Sequence, residues 1–286
     1  MKQIRADTGI CHFRIGNPTT LVEFLVALDL PDLELRANHE LVAHWLDWGC
    51  VYVDGARQRA DSPLDPGQIV RLHTRPKRYP ADEGRIVFED DAMIVFDKPA
   101  GLPTHPTLDN FIENAKTRLE ERLGAALYTT HRLDIPTQGL LLFAKTTEAQ
   151  TALNRLFARR QIEKIYHALA PTAVAPGPLV HFINPDSRVP REITTEPRAG
   201  WWECHLEILD RGAHARGFFW HKLRLLTGKT HQIRAQFAAS GAPLRGDSLY
   251  GAKDGAGSLG LECYQLSFKL RSREYAFTRP DSIRDF

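Results

Sequence analysis

An arginine, a carboxylate and a proline–glycine turn run directly into an apolar strand. His131-Arg132-Leu133-Asp134-Ile135-Pro136-Thr137-Gln138-Gly139 precedes the run Leu140 to Ala144. The run reads as a buried strand, and the residues before it as an irregular loop presenting Asp134. Asp is a poor core residue, so beside a buried strand it needs a partner. It is either a turn-former or a catalytic group, and residue chemistry alone gives turn-forming the edge.

The chain has 286 residues, enough for one large domain or two unequal ones. Hydrophobic content of 43% and charged content of 25% place it among ordinary globular chains. No apolar stretch approaches the length that spans a bilayer, and Met1 to Asp7 lacks the apolar core of a signal peptide. A cytoplasmic location without membrane contact is the expectation. The cysteines, Cys11, Cys50, Cys204 and Cys263, are widely spaced, with no C-x-x-C pair. They read as reduced, buried thiols, and no metal site is expected.

Net charge is only +2, which argues against indiscriminate nucleic-acid binding. The basic residues are clustered, however. Arg71, Arg75, Lys77 and Arg78 precede Tyr79-Pro80, and Arg155, Arg159, Arg160 and Lys164 lie on and after an expected helix. Each cluster is a solvated face or a local phosphate contact.

Residues 1–80 read as a separate unit. Leu21 to Leu28 and Glu40 to Trp48 are expected helices, the second capped by Asn38. Cys50 to Val53 and Gln68 to Leu72 are expected strands, with turns at Asp54-Gly55 and Leu64 to Gly67. The proline- and glycine-bearing linker to Gly84 marks a boundary, giving domains of 1–80 and 81–286. In the second, strands are expected at 85–88, 93–97, 165–170, 201–209, 218–226 and 267–270. Helices are expected at 110–123, 147–160 and 231–239. This mixture predicts an α+β domain with a mixed, mostly antiparallel sheet.

Five segments, in order over roughly residues 85–270, together resemble the RluA-type pseudouridine synthase family. The first is Glu89-Asp90-Asp91 with Met93 to Pro106, including Asp97-Lys98-Pro99. The second is His131-Arg132-Leu133-Asp134, followed by Thr137-Gln138-Gly139. The third is Lys164-Ile165-Tyr166. The fourth is Thr227-Gly228-Lys229-Thr230-His231-Gln232-Ile233-Arg234, and the fifth Gly246-Asp247-Ser248-Leu249-Tyr250-Gly251. The sequence departs from the family pattern in four places. Gln138 replaces a serine, Lys229 an arginine, Ala235-Gln236 a Val-His pair, and Leu261-Glu262-Cys263 a Leu-His-Ala run. Residues 1–80 more weakly resemble the S4-like RNA-binding domain that often precedes this catalytic fold. They carry ten basic and ten acidic residues, so a degenerate domain or one reused for contacts within the protein is the alternative.

The resemblance implies a pseudouridine synthase fold with flanking helices and a cleft across the sheet. It implies an isomerase acting on a uridine in structured RNA, ribosomal RNA first and transfer RNA close behind. The enzyme would work without cofactor or metal, as a monomer. Asp134 becomes the carboxylate at the ribose anomeric centre, Arg234 its cation, and Tyr166 the ring stacked on the flipped uracil. Arg132, His131, Lys164 and Lys229 become the RNA-contacting set, with His131 also orienting the loop. A binding protein that kept the fold and lost the chemistry is the competing reading. A glycoside hydrolase would need a second carboxylate that the Asp134 segment lacks.

Overall fold

The computed structural model describes residues 2–7, 9–214, 217–255 and 257–283. The chain divides into two units: Met1–Pro80 with His105–Glu121, and Ala81–Thr104 with Arg122–Phe286. The expected 81–286 domain is thus interrupted by a stretch that belongs with the N-terminal residues. No helix among the described residues is long and apolar enough to cross a membrane.

In the first unit, β1 (Lys2–Asp7), β2 (Ile10–Arg14), β3 (Val51–Val53), β4 (Ala56–Gln58) and β5 (Ile69–His73) form a sheet in the order β1-β2-β5-β3-β4. Helices α1 (Leu21–Val26) and α2 (His39–Asp47) bury Leu21, Leu25, Val42 and Trp45 with Phe13, Val51 and Val70. The caps are local. Thr20 and Glu23 form a reciprocal capping box, and the Asn38 side chain accepts the Leu41 N–H. The segment 105–121 is held here by polar contacts. Arg57 donates to the carbonyls of Gly49 and Thr107, the Tyr52 hydroxyl to that of Leu108, and Arg78 pairs with Glu113 at 2.8 Å.

The second unit is built on an eleven-stranded sheet. Its main strands are β6 (Arg85–Glu89), β7 (Met93–Lys98), β8 (Gln138–Ala144), β9 (Glu163–Ala170), β10 (Gly177–Ile183), β11 (Trp202–Ala213), β12 (Phe219–Leu225), β13 (Leu261–Leu270) and β14 (Arg273–Thr278). They run β6-β7-β8-β13-β9-β12-β11-β10, with β14 beside β13. Every pairing is antiparallel except β8 with β13, so the expected mixed, mostly antiparallel sheet is present. β7 and most of β8 are buried, as their near-continuous apolar runs require. Helix α3 (Ala115–Leu123) lies mostly in the first unit; in the second, α4 (Thr147–Ala158) follows β8 and α5 (Gln232–Ala239) follows β12.

The helix expected from residue 110 starts at Ala115 instead. Asn110 uses its side chain on the N–H groups of Ile112 and Glu113 and on the Lys77 carbonyl, and Asn114 accepts from Thr117 N–H. Such local bonds compete with helix. The strand expected at 267–270 begins at Leu261. Strands Lys2–Asp7, Ile10–Arg14, Gly177–Ile183 and Arg273–Thr278 were not expected. β10 opens on Gly177-Pro178, and β14 is charged and largely exposed, so neither shows a strong apolar pattern.

Beneath the sheet lies a charge cluster. Arg279 donates to Asp97 at 2.8 Å and to Glu262, whose side chain is fully buried. Glu262 Oε1 also accepts from the Ser282 hydroxyl at 2.7 Å and Ile283 N–H at 3.1 Å, and lies 3.1 Å from His167 Nδ1. Breaking a buried ion pair from one side leaves an uncompensated charge. Arg279→Met is expected to destabilise the protein by about 3–5 kcal/mol, read from urea unfolding. A loss below about 1 kcal/mol would mean the pair lies in a wet environment.

Candidate active site

The loop before β8 is fastened at several points. His131 Nε2 accepts the Leu142 N–H at 3.0 Å, and the ring lies 4.9 Å from Phe157. Burial, helped by Lys164, pulls the His131 pKa down to about 3, so the imidazole is neutral. The bond from the Leu142 N–H fastens the ring, and with it the loop, to β8. The Thr104 hydroxyl bonds both the N–H and the carbonyl of Leu133, at 3.1 and 3.0 Å. The Asp134 carbonyl accepts from Thr137 N–H at 3.0 Å, closing the turn over Pro136.

Gly139 lets the loop enter the sheet here. Its φ is +108°, and a Cβ would lie 2.3 Å from the Cys263 carbonyl oxygen. Only glycine permits this approach of β8 to β13.

Lys98 ties this loop to the end of β7. The side chain is completely buried, and Nζ donates to the carbonyls of Leu102 at 2.7 Å, Pro99 at 2.9 Å and Ile135 at 3.2 Å. An ammonium has three donors, and here all three are used. Burial lowers its pKa to about 7, against the pull of Asp134 and Asp97.

Asp134 is one carboxylate of a shared pair. Arg234, on α5, points Nε and Nη2 at the two oxygens of Asp247, both at 2.8 Å. Its remaining nitrogen, Nη1, is 3.5 Å from Asp134 Oδ2 and 3.1 Å from His231 Nε2. The Arg234 and Asp247 side chains are 6% and 1% exposed, against 23% for Asp134, so only Asp134 faces an opening. Burial works against the Arg234 charge, but Asp247 and Asp134 outweigh it and raise the pKa. His231 caps α5 with a left-handed φ of 60°. Burial lowers its pKa, opposed by Asp134, whose Oδ2 is 3.8 Å from Nε2.

Tyr250 completes this wall. Its hydroxyl accepts the Arg191 N–H at 2.9 Å and lies 3.3 Å from His231 Nδ1, and its ring sits 5.3 Å from the Arg234 guanidinium.

Tyr166 lies on β9, in register with Cys263 on one side and Leu223 on the other. It is buried, and its pKa stands well above the usual tyrosine value. Burial is the main cause, with Cys263 and the Asp134 charge adding to it. It is therefore a phenol, able to hydrogen-bond but not ionised. The structure thus brings Asp134, Arg234 and Tyr166 into one electrostatic neighbourhood. Arg132, two residues before Asp134, is exposed. Lys164 and Lys229 gather at Gly228 instead, with Lys229 Nζ 4.4 Å over the Trp202 ring.

Asp247, Tyr250 and Lys98 lie within the motif segments, but no local pattern in the sequence marks them for a role. Which carboxylate takes the Arg234 fork is a matter of tertiary placement. Among the described residues no three His, Cys, Asp or Glu side chains are grouped to hold a metal ion.

A family model described as RNA pseudouridylate synthase matches residues 92–239. RNA pseudouridine synthase 6, chloroplastic, of Arabidopsis thaliana is 35% identical over 213 residues, covering 65% of this chain and 45% of that protein. Ribosomal large subunit pseudouridine synthase D of Xylella fastidiosa is 31% identical over 239 residues, covering 78% of this chain and 70% of that protein. The chain spans less than half the length of the plant relatives it matches. Among solved structures, human RNA pseudouridylate synthase domain containing 1 superposes with a TM-score of 0.57 at 24% identity, covering 71% of this chain and 86% of that one. Domain containing 4 gives 0.55 at 20%, covering 68% and 87%. These two share the fold.

The buried Lys98 has a measurable consequence. Its folded pKa of about 7 lies below the ordinary 10.5, so between these values the unfolded chain binds more protons. Its contribution to stability therefore rises with pH across that window, and the full penalty of the buried cation is present below it. The unfolding free energy of the unaltered protein minus that of Lys98→Met is expected to climb by about 1.4 kcal/mol per pH unit from about pH 7.5 to 9.5. A flat difference in denaturant titrations would show that the amine keeps its proton.

Proposed function

The chain belongs to the RNA pseudouridylate synthase family, and on that premise we propose that it isomerises a uridine to pseudouridine within structured RNA. The observation that carries this reading is the partly exposed Asp134, 3.5 Å from a buried Arg234 that Asp247 already grips with two bonds. A fixed cation favours the charged form of a neighbouring carboxylate, the form that attack or proton abstraction at a sugar requires.

In the reaction, the bond from the ribose anomeric carbon to N1 of uracil breaks and the base turns. A bond to carbon 5 forms, carbon 5 loses its proton, and N1 gains one. No electron or group leaves the substrate, so this chemistry calls for no cofactor or metal. Asp134 acts at the anomeric centre, by addition or by taking a sugar proton, and Arg234 holds it in place. Tyr166 stacks on the uracil, a contact of roughly 1–3 kcal/mol, and as a phenol hydrogen-bonds to it. Extruding the base costs a few kcal/mol. The exposed Arg132 would recover part of that by stacking in the gap. Lys164 and Lys229 serve the phosphates.

Ribosomal RNA is the favoured substrate, because several relatives are named ribosomal large subunit pseudouridine synthase D. Transfer RNA is the alternative outcome. The enzyme is taken to act as a cytoplasmic monomer. For the N-terminal unit the reading is a degenerate S4-like RNA-binding domain, with reuse for contacts within the protein as the alternative.

Pseudouridine mapping of total RNA is the test, comparing cells with the unaltered protein and cells with Asp134→Asn. One uridine is expected to lose its modification and so name the target. In single-turnover assays on that RNA, Asp134→Asn is expected to slow the reaction by about 10⁴-fold or more. Asp247→Asn, which loosens the Arg234 fork, is expected to cost about 10²-fold with RNA affinity kept. Identical maps, together with no product from purified protein on unmodified RNA, would leave only the binding-protein reading.

A further inference from the structure

Outside the Asp134 set, two lysines and an indole meet at the turn that opens α5. Lys229 Nζ is 4.4 Å from the centroid of the Trp202 ring. A Cβ on Gly228 would come within 3.3 Å of Lys164 Nζ, so the second ammonium lies against the backbone next to Lys229. Among the described residues neither Lys164 nor Lys229 has a carboxylate within ion-pair distance, whereas Lys116 and Lys145 do. Two like charges are thus collected at one turn, and an anionic ligand between them would be favoured electrostatically.

The turn is rigid. Lys229 N–H donates to Gln232 Oε1 at 3.1 Å, the Thr227 hydroxyl donates to the same oxygen at 2.9 Å, and Gln232 Nε2 donates to the His205 carbonyl at 3.1 Å. Trp202 is fixed as well. It opens β11 and packs, half-buried, against the cluster of Ile183, Cys204 and Ala235. Tyr250 packs against that same cluster, and Tyr250 reaches His231 and Arg234 beside Asp134. The indole and the catalytic carboxylate are therefore framed by one small core, and Lys229 stands two residues before His231.

A flat aromatic face held still, with two cations beside it, fits a ligand that is planar and anionic at once. An unpaired nucleotide is such a ligand, whereas a base within a duplex has its faces already stacked. We propose that Trp202, Lys229 and Lys164 form a subsite for one unpaired nucleotide adjoining the uridine at Asp134. Its base stacks on Trp202, and its phosphate takes the two ammoniums. Lys229 now rests over the indole through a weak cation–π contact. On RNA binding it moves from the ring to the phosphate. The subsite rests on the reading that the substrate is RNA, and it confines the target to a loop, bulge or end of the RNA.

The test uses the full chain and a labelled oligouridylate of about twelve nucleotides, with affinity read by fluorescence anisotropy over a salt series. Trp202→Leu keeps apolar volume against the cluster and removes the stacking face, so it is expected to weaken binding about 5- to 150-fold. Trp202→Phe keeps a face and is expected to stay within a few-fold of the unaltered protein. Lys229→Gln is expected to reduce the slope of log affinity against log salt by about 0.7, while the tryptophan variants leave it unchanged. Trp202→Leu binding as tightly as the unaltered protein, with matching thermal unfolding, would overturn the subsite. So would equal losses in the Leu and Phe variants, which would mark Trp202 as a packing residue. Because the readout is oligonucleotide affinity, it is independent of catalysis. A protein that binds through Trp202 and makes no pseudouridine would sink the synthase reading and leave the subsite standing.

Discussion

Arg234 is a buried guanidinium shared between two carboxylates, and the candidate site is arranged around that division. Asp247 takes two nitrogens at 2.8 Å each, leaving a third 3.5 Å from Asp134. The fork fixes the plane of the guanidinium, so the free nitrogen points where the loop before β8 places Asp134. A lysine would supply the charge without that direction. The longer contact matters because it leaves Asp134 beside the cation but open to the cleft. His231 and Tyr250 close the remaining sides of the cation, and the neutral His231 accepts from it where a charged ring would repel it.

The opposite half of the site depends on backbone fit. Asp134 stands on a loop secured by the buried Lys98, by Thr104 and by the inward-turned His131. That loop enters the sheet at Gly139, the point where β8 and β13 run parallel and a side chain has no room. The residue pressed against Gly139 is Cys263, which also faces Tyr166 across the next pairing. One close approach of strands therefore sets the placement of both the carboxylate loop and the tyrosine.

The departure Leu261-Glu262-Cys263 acquires a meaning from strand geometry. Consecutive strand residues point to opposite faces. Cys263 borders Tyr166, while Glu262 enters the charge cluster with Arg279, Asp97, His167 and Ser282. A buried glutamate is tolerable only with its charge met, and here the C-terminal residues meet it. That cluster ties Arg279 to Ile283 to strands adjoining the loop that carries Asp134.

The sequence by itself determined the carboxylate loop, the apolar strand behind it, the α+β character and the family, because each is written in contiguous residues whose order and spacing are local. Asn38 as a cap and the helices at Leu21 and Thr147 were equally legible, since caps and periodicity act within a few positions. Only the tertiary structure decided that Asp247 and not another carboxylate grips Arg234, a pairing across 13 residues. It also decided that His131 turns inward, that residues 105–121 join the N-terminal unit, and that Trp202 meets Lys229. These depend on which surfaces are brought together when strands distant in sequence pair. Burial then fixes the outcome: a buried polar group must find its partner wherever the fold delivers one, and no local pattern names that partner in advance.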